Sequence, residues 1–198
     1  MFLLFTLFSV LCYPIALSAT NDDGTFFYFA YGSNLLSKRI HIKNPSAILY
    51  STAKLEKYRL DFNMYVTGWN GAVATIVEDD TAHVWGTLWK LKANETAFLD
   101  DQEGVNLGWY FAKNVTVTTA KGEKIIARTY QETINPNKTS KGEELPLERR
   151  PSNTYLEVII LGAIESHLPA DYIGNLFSFP TNGQLASKER RKELGYPF

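Results

Sequence analysis

The sequence predicts a single α/β (α+β) domain: a curled mixed sheet or barrel of about six strands with helices packed around it. Three observations carry this. Strand-like runs dominate and follow one another along the chain. The regular βα alternation of a Rossmann-type sheet is absent. No internal repeat or long low-complexity linker divides residues 19–198, which are read as one domain, with residues 1–18 set apart.

Residues 26–31 form the first apolar run of strand length. It leads into Tyr31-Gly32-Ser33-Asn34-Leu35, a turn that offers backbone N–H groups to a ligand. Ser33 or Asn34 is expected to cap a short helix through Ile40. Further strands are expected at 47–62, 72–77, 84–89, 111–118 and 124–131. Val115 and Val117 alternate with Asn114 and Thr116, as on a half-buried strand, and Ala120-Lys121-Gly122-Glu123 turns the chain into the last run.

Asn94 is expected to cap a helix over 95–102, with Ala97 and Phe98 facing inward. The clearest helix is 152–166, where Leu156, Ile159, Ile160, Ala163 and Ile164 make an apolar stripe at helical spacing. Pro169 suits the first turn of a further helix through Phe177. Residues 134–150 are polar and rich in Lys, Glu and Pro, which predicts an exposed, mobile loop. Lys38-Arg39 and the run Lys188-Glu189-Arg190-Arg191-Lys192 read as solvated helical faces. Trp69, Trp85, Trp89 and Trp109 read as core or pocket lining.

Residues 1–18 have the outline of a secretory signal peptide. Phe2 to Leu17 carry no charge and are apolar but for Thr6, Ser9 and Pro14, and Ala16-Leu17-Ser18 puts small residues at −3 and −1. The stretch falls short of the ~20 residues a membrane-spanning helix needs, so no stable membrane span is expected. The single cysteine, Cys12, lies inside it. Thiol catalysis and cysteine-ligated metal are thereby excluded for a mature chain. Asn94, Asn114 and Asn137 each begin an Asn-x-Thr sequon, which agrees with glycosylation on the secretory route and an extracellular destination. Asn114 is expected to share a sheet face with Tyr110. With 20 basic and 21 acidic residues and a net charge of −1, nothing points to nucleic acid. His41, His83 and His167 are scattered without metal-ligand spacing, so no metal is expected.

The chemistry concentrates in the Gly32 turn and in Leu99-Asp100-Asp101-Gln102-Glu103-Gly104-Val105. The second string ends a predicted helix with one carboxylate, Glu103. A negative charge at a helix C-terminus opposes the helix dipole, so a solvated surface role and a positioned catalytic role are the two alternatives for it. An anion-cradling turn plus a positioned carboxylate suffices to move a proton on a small charged substrate.

Phe29-Ala30-Tyr31-Gly32-Ser33-Asn34-Leu35, Asn44-Pro45-Ser46-Ala47, Leu60-Asp61-Phe62, residues 71–76, Val84-Trp85-Gly86 and the Glu103 string occur in the order seen in γ-glutamylcyclotransferases. From about Phe27 to Leu168 the chain resembles a secreted member of that family. The resemblance implies a γ-glutamylcyclotransferase-like fold, often assembled as a homodimer. It also implies an enzyme that cyclises small γ-glutamyl amino acids to 5-oxoproline and releases the amino acid without a cofactor. It makes Glu103 the general acid/base and Tyr31, Gly32, Ser33, Asn34 and Leu35 the substrate loop. Tyr110 and Tyr155 also stand at family positions and are expected to bind substrate. Two other readings stay open: a non-catalytic secreted binder of γ-glutamyl or amino-acid-like ligands, and a relative that cleaves γ-glutamyl groups from larger amines.

Overall fold

A computed structural model describes residues 20–140 and 142–198, so the expected leader, with Cys12, lies outside the described residues. Five strands close into a barrel: β1 (Thr25–Ala30), β2 (Ile48–Val66), β3 (Gly71–Lys92), β4 (Tyr110–Thr119) and β5 (Lys124–Glu132), in the order β1-β3-β2-β4-β5. All neighbouring pairs are antiparallel except the closing one. There β1 meets β5 in parallel at Tyr28 opposite Arg128. Phe26, Phe29, Phe62, Ile76, Leu88 and Tyr130 are almost fully buried and belong to the continuous core.

The strand count differs from the expectation because the expected runs at 72–77 and 84–89 belong to one strand, β3. The acidic residues between them look like a turn in sequence. They form instead a bulge, in which residues 79–82 of β3 stand opposite Lys57 of β2, whose φ is +64°. An exposed ion pair between Lys57 and Asp80 and hydrogen bonds from Thr81 to Asp79 occupy the polar groups there.

Helix α1 (Ser37–Ile40) follows a 3₁₀ turn at Ser33–Leu35. Neither Ser33 nor Asn34 caps it with a side chain; Asn34 is used elsewhere, as described below. Helix α2 (Thr96–Gln102) follows a second 3₁₀ turn (Ala93–Glu95), which displaces Asn94 from the capping position. The inward residue of α2 is Leu99, whereas Ala97 and Phe98 are exposed, because the 3₁₀ turn rotates the helix relative to the expected start.

Helix α3 (Asn153–Glu165) is capped by Ser152, whose Oγ accepts from the Tyr155 N–H at 3.2 Å. Leu156, Ile159, Ile160 and Ala163 of the expected stripe are buried, while Ile164 is half exposed. Gly162 lets α3 press on the Gly32 turn: a Cβ there would lie 2.5 Å from the Leu35 carbonyl carbon. Helices α4 (Ala170–Phe177) and α5 (Lys188–Leu194) complete the chain, and among the described residues no helix is long and apolar enough to cross a membrane.

The polar stretch 134–150 is anchored in its second half. Leu145 is buried, and Arg149 donates to the Phe62 carbonyl and pairs with the buried Asp61. Two faces read as solvated are not wholly so. Arg39 is 6 % exposed, and Arg190 lies over the Trp69 ring at 4.9 Å. A charge run in sequence does not reveal which of its members folds back over an aromatic ring.

Candidate active site

The barrel end from which β1 emerges holds a small pocket open to solvent. Tyr31, Gly32, Ser33, Asn34, Glu103, Tyr110 and Tyr155 all line it, together with Tyr28, Ala74 and Tyr130. Residues from β1, β3, α2, β4, β5 and α3 thus converge there. Leu35 does not: it is fully buried and packs against α3 at Gly162.

Glu103 caps the C-terminus of α2, its N–H bonded to the Leu99 carbonyl at 3.1 Å. Gly104 follows with φ +64°, and a Cβ on it would sit 2.7 Å from the Trp109 ring, so both backbone and space demand glycine. The chain turns sharply here and leaves the Glu103 side chain in the pocket. Burial pushes its pKa up to about 7, against the opposing pull of the Arg39 charge and hydrogen bonds from Gln102 and Asn34.

Asn34 is central to that arrangement. Its Nδ2 donates to Glu103 Oε1 and to the Tyr28 hydroxyl, each at 3.1 Å, while its Oδ1 accepts from Gln102 Nε2. Its carbonyl accepts from the Trp89 indole at 2.9 Å. Every polar group of the side chain is used, which fixes the carboxylate's orientation.

The tyrosines form a second shelf. Tyr155 Oη accepts from the Ala74 N–H at 3.0 Å, and Tyr110 Oη donates to the Ala74 carbonyl at 2.7 Å. Tyr31 Oη donates to the Tyr130 carbonyl. Burial raises the pKa of all three, so they remain neutral hydroxyls. Behind Tyr110, burial likewise raises Glu132 to about 7; it accepts from Asn63 and the Met64 N–H.

Four further contributors, Asp100, Arg128, Arg39 and Arg190, stand outside the residues expected to form the site. Asp100 pairs with buried Arg128 through Nη2, at 2.7 and 2.9 Å to its two oxygens, and accepts from the Tyr130 hydroxyl. This ties α2 to β5 one helical turn before Glu103. Arg39 and Arg190 border an adjoining pocket. Both sit in charged runs whose pattern gives no hint of burial; Arg128 lies on β5 beside Thr129, Gln131 and Glu132, a mixed composition that gives no hint either.

The three sequon asparagines, Asn94, Asn114 and Asn137, are all exposed. Tyr110 and Asn114 are both on β4, but Tyr110 is buried beneath β3 through the Ala74 contact. The β4–β5 register runs without a break from Tyr110 opposite Glu132 to Asn114 opposite Arg128, so alternation puts the two on one face, with Tyr110 buried and Asn114 exposed farther along the strand. Among the described residues, no three His, Cys, Asp or Glu side chains cluster as metal ligands would.

Gly32 faces Tyr155 Oη and Ala74 Cβ, each 3.4 Å from where its Cβ would stand. Those are ordinary contacts, so Gly32→Ala is expected to fold with a thermal midpoint within a few degrees of wild type. Its methyl would occupy the pocket floor, and turnover is expected to fall at least about tenfold, measured by steady-state kinetics at matched folded fraction.

A closed barrel whose end holds one carboxylate poised near neutrality, ringed by tyrosine hydroxyls, defines the class: an acid–base pocket sized for a small molecule. Comparison with known proteins narrows it. The AIG2-like family model matches residues 83–176. The Bos taurus γ-glutamylcyclotransferase is 42% identical over 167 residues, covering 82% of this chain and 83% of the relative. The Homo sapiens γ-glutamylcyclotransferase is 38% identical over 165 residues, 81% and 82% of the two chains. A solved γ-glutamyl cyclotransferase structure superimposes with a TM-score of 0.76 at 35% identity, covering 86% of this chain and 98% of its own. The chain belongs to the γ-glutamylcyclotransferase family.

Proposed function

We propose that this protein is a γ-glutamylcyclotransferase, converting γ-glutamyl amino acids to 5-oxoproline and the free amino acid. The observation that carries the reading is Glu103, held by Asn34 inside the pocket with its pKa raised to about 7. Near neutral pH such a group exists in both protonation states, as a general base that becomes a general acid must.

The substrate's α-ammonium gives a proton to the Glu103 carboxylate. The freed amine nitrogen attacks the γ-carbonyl carbon, forming the C–N bond of a five-membered ring. The bond to the leaving nitrogen then breaks as the proton held on Glu103 passes to that nitrogen; the ring nitrogen gives up its second proton as the lactam forms, and the released amine takes up one proton from water and leaves as the ammonium. All atoms of substrate appear in the two products, and no electron changes hands.

Ring closure is intramolecular, so holding the glutamyl chain folded removes much of its entropic barrier. The Gly32 turn supports this, since it lines the pocket with main chain and lets a ligand approach closely. The neutral Tyr110 and Tyr155 hydroxyls supply polar contacts on the facing wall. Purified protein incubated with γ-glutamyl-alanine is expected to release 5-oxoproline and alanine in equal amounts. Unchanged dipeptide across a panel of γ-glutamyl amino acids would refute the assignment.

We further propose that residues 1–18 are removed as a signal peptide and that the exposed asparagines receive glycans. Exposure of Asn94, Asn114 and Asn137 supports this. Expression of the full chain in a secreting eukaryotic host should give a medium product that begins near Ala19 and loses mass on deglycosylation.

A further inference from the structure

We infer that the pocket adjoining Glu103 is a leaving-group site for an anion, in which Arg39 and Arg190 bind the α-carboxylate of the released amino acid. The inference rests on the cyclotransferase reading and names the residues that read the leaving amino acid of that reaction.

The adjoining pocket is the roomier of the two and shares Ser33, Glu103, Tyr110 and Tyr155 with the first. A substrate whose scissile bond lies at Glu103 therefore has its glutamyl part on one side and its leaving part on the other. Met64, Val66, Trp69, Val73 and Trp109 give the second pocket apolar walls. Two guanidinium groups enter it from opposite parts of the chain, Arg39 on α1 and Arg190 on α5.

Both stand near one indole, Arg190 at 4.9 Å and Arg39 at 6.0 Å from the Trp69 centroid. Arg39 is 94 % withdrawn from solvent by its 6 % exposure, yet it forms no ion pair among the described residues; its Nη1 donates to neutral Gln102 at 3.2 Å. Its Nε is buried without a partner, as is the Nε of Arg190. Arg190 pairs outward with Glu193 through Nη1 at 2.8 Å. The lining's single carboxylate is Glu103. A buried cation with an unmet donor is costly unless something negative completes it. The leaving amino acid's carboxylate is an anion delivered to this place only by substrate, and guanidinium matches carboxylate in geometry.

The test compares γ-glutamyl-alanine with γ-glutamyl-ethylamide, which differ by that carboxylate alone. Wild type is expected to favour the alanine substrate at least about tenfold in kcat/KM, the worth of one charge-assisted hydrogen bond. Arg190→Gln is expected to shrink the ratio to about threefold or less, and Arg190→Lys to restore part of it. Both substrates are read on one preparation, so the ratio is unaffected by the folded fraction. Equal turnover of the two by wild type, or an unchanged ratio in Arg190→Gln, overturns the inference while leaving the cyclotransferase intact. Release of 5-oxoproline from neither overturns both.

Discussion

Glu103→Gln is expected to lower kcat for 5-oxoproline release by about 10²–10⁴-fold, the usual loss when a positioned acid/base is removed. The amide can keep the Asn34 contact through its oxygen, so the fold should persist. The same substitution has a thermodynamic signature. Glu103 has a folded pKa raised to about 7 from an ordinary value of 4.5. Between those values the folded state binds more protons than the unfolded, so ionisation of this group costs stability as pH rises from 4.5 through 7. Gln cannot ionise. The variant should therefore be the more stable protein at pH 8, by on the order of 1–3 kcal/mol, with the gap closing toward pH 4. Denaturant titrations at the two pH values measure it. Glu132 titrates in the same range and is present in both proteins, so its part cancels. Wild-type kcat should rise through a limb near pH 7; a folded variant with undiminished turnover would remove Glu103 from the mechanism.

The second large effect is structural. Asp100→Ala should destabilise by about 3 kcal/mol, because it strands the Arg128 guanidinium, which is 3 % exposed, without its carboxylate. The Tyr130 hydroxyl loses its acceptor as well. Helix α2 then loses its tether to β5, and Glu103 loses its placement, so activity should fall beyond what the folded fraction explains. A double-mutant cycle with Arg128→Leu separates the two costs: removal of both partners should recover part of the lost stability. An Asp100→Ala protein with unchanged midpoint and kcat would show that α2 is held by its apolar contacts alone.

Much of this fold is legible in the sequence, since strand alternation and helical spacing are local, whereas the expected caps at Ser33 or Asn34 and at Asn94 are not formed. The stripe from Leu156 announces α3, and Gly122 announces the β4–β5 turn. Less visible is what depends on distant partners. The acidic stretch at 79–82 looks like a turn because a bulge and a turn expose the same kind of residue. The Phe98 error arises from a 3₁₀ turn that shifts the helix phase without leaving a trace in composition. In the site, the Gly32 turn and Glu103 stand out through motif and spacing. Arg39, Asp100 and Arg190 do not, because each acts through a residue far away in the chain. Asn34 is visible as part of the turn, but its bond to the carboxylate appears only once β1 and α2 are brought together.

The barrel closes through one residue pair, Tyr28 with Arg128, and Arg128 is also the anchor of Asp100. Tyr28 in turn accepts from Asn34, the residue that orients Glu103. The thinnest seam of the sheet and the support of the reactive carboxylate are therefore one structure. Sub-global opening along β1 and β5 would disperse the reactive geometry while the long β2–β3 hairpin stayed paired. Loss of turnover on heating should then precede loss of sheet signal, and amide protons of the hairpin should outlast those of the seam in hydrogen exchange.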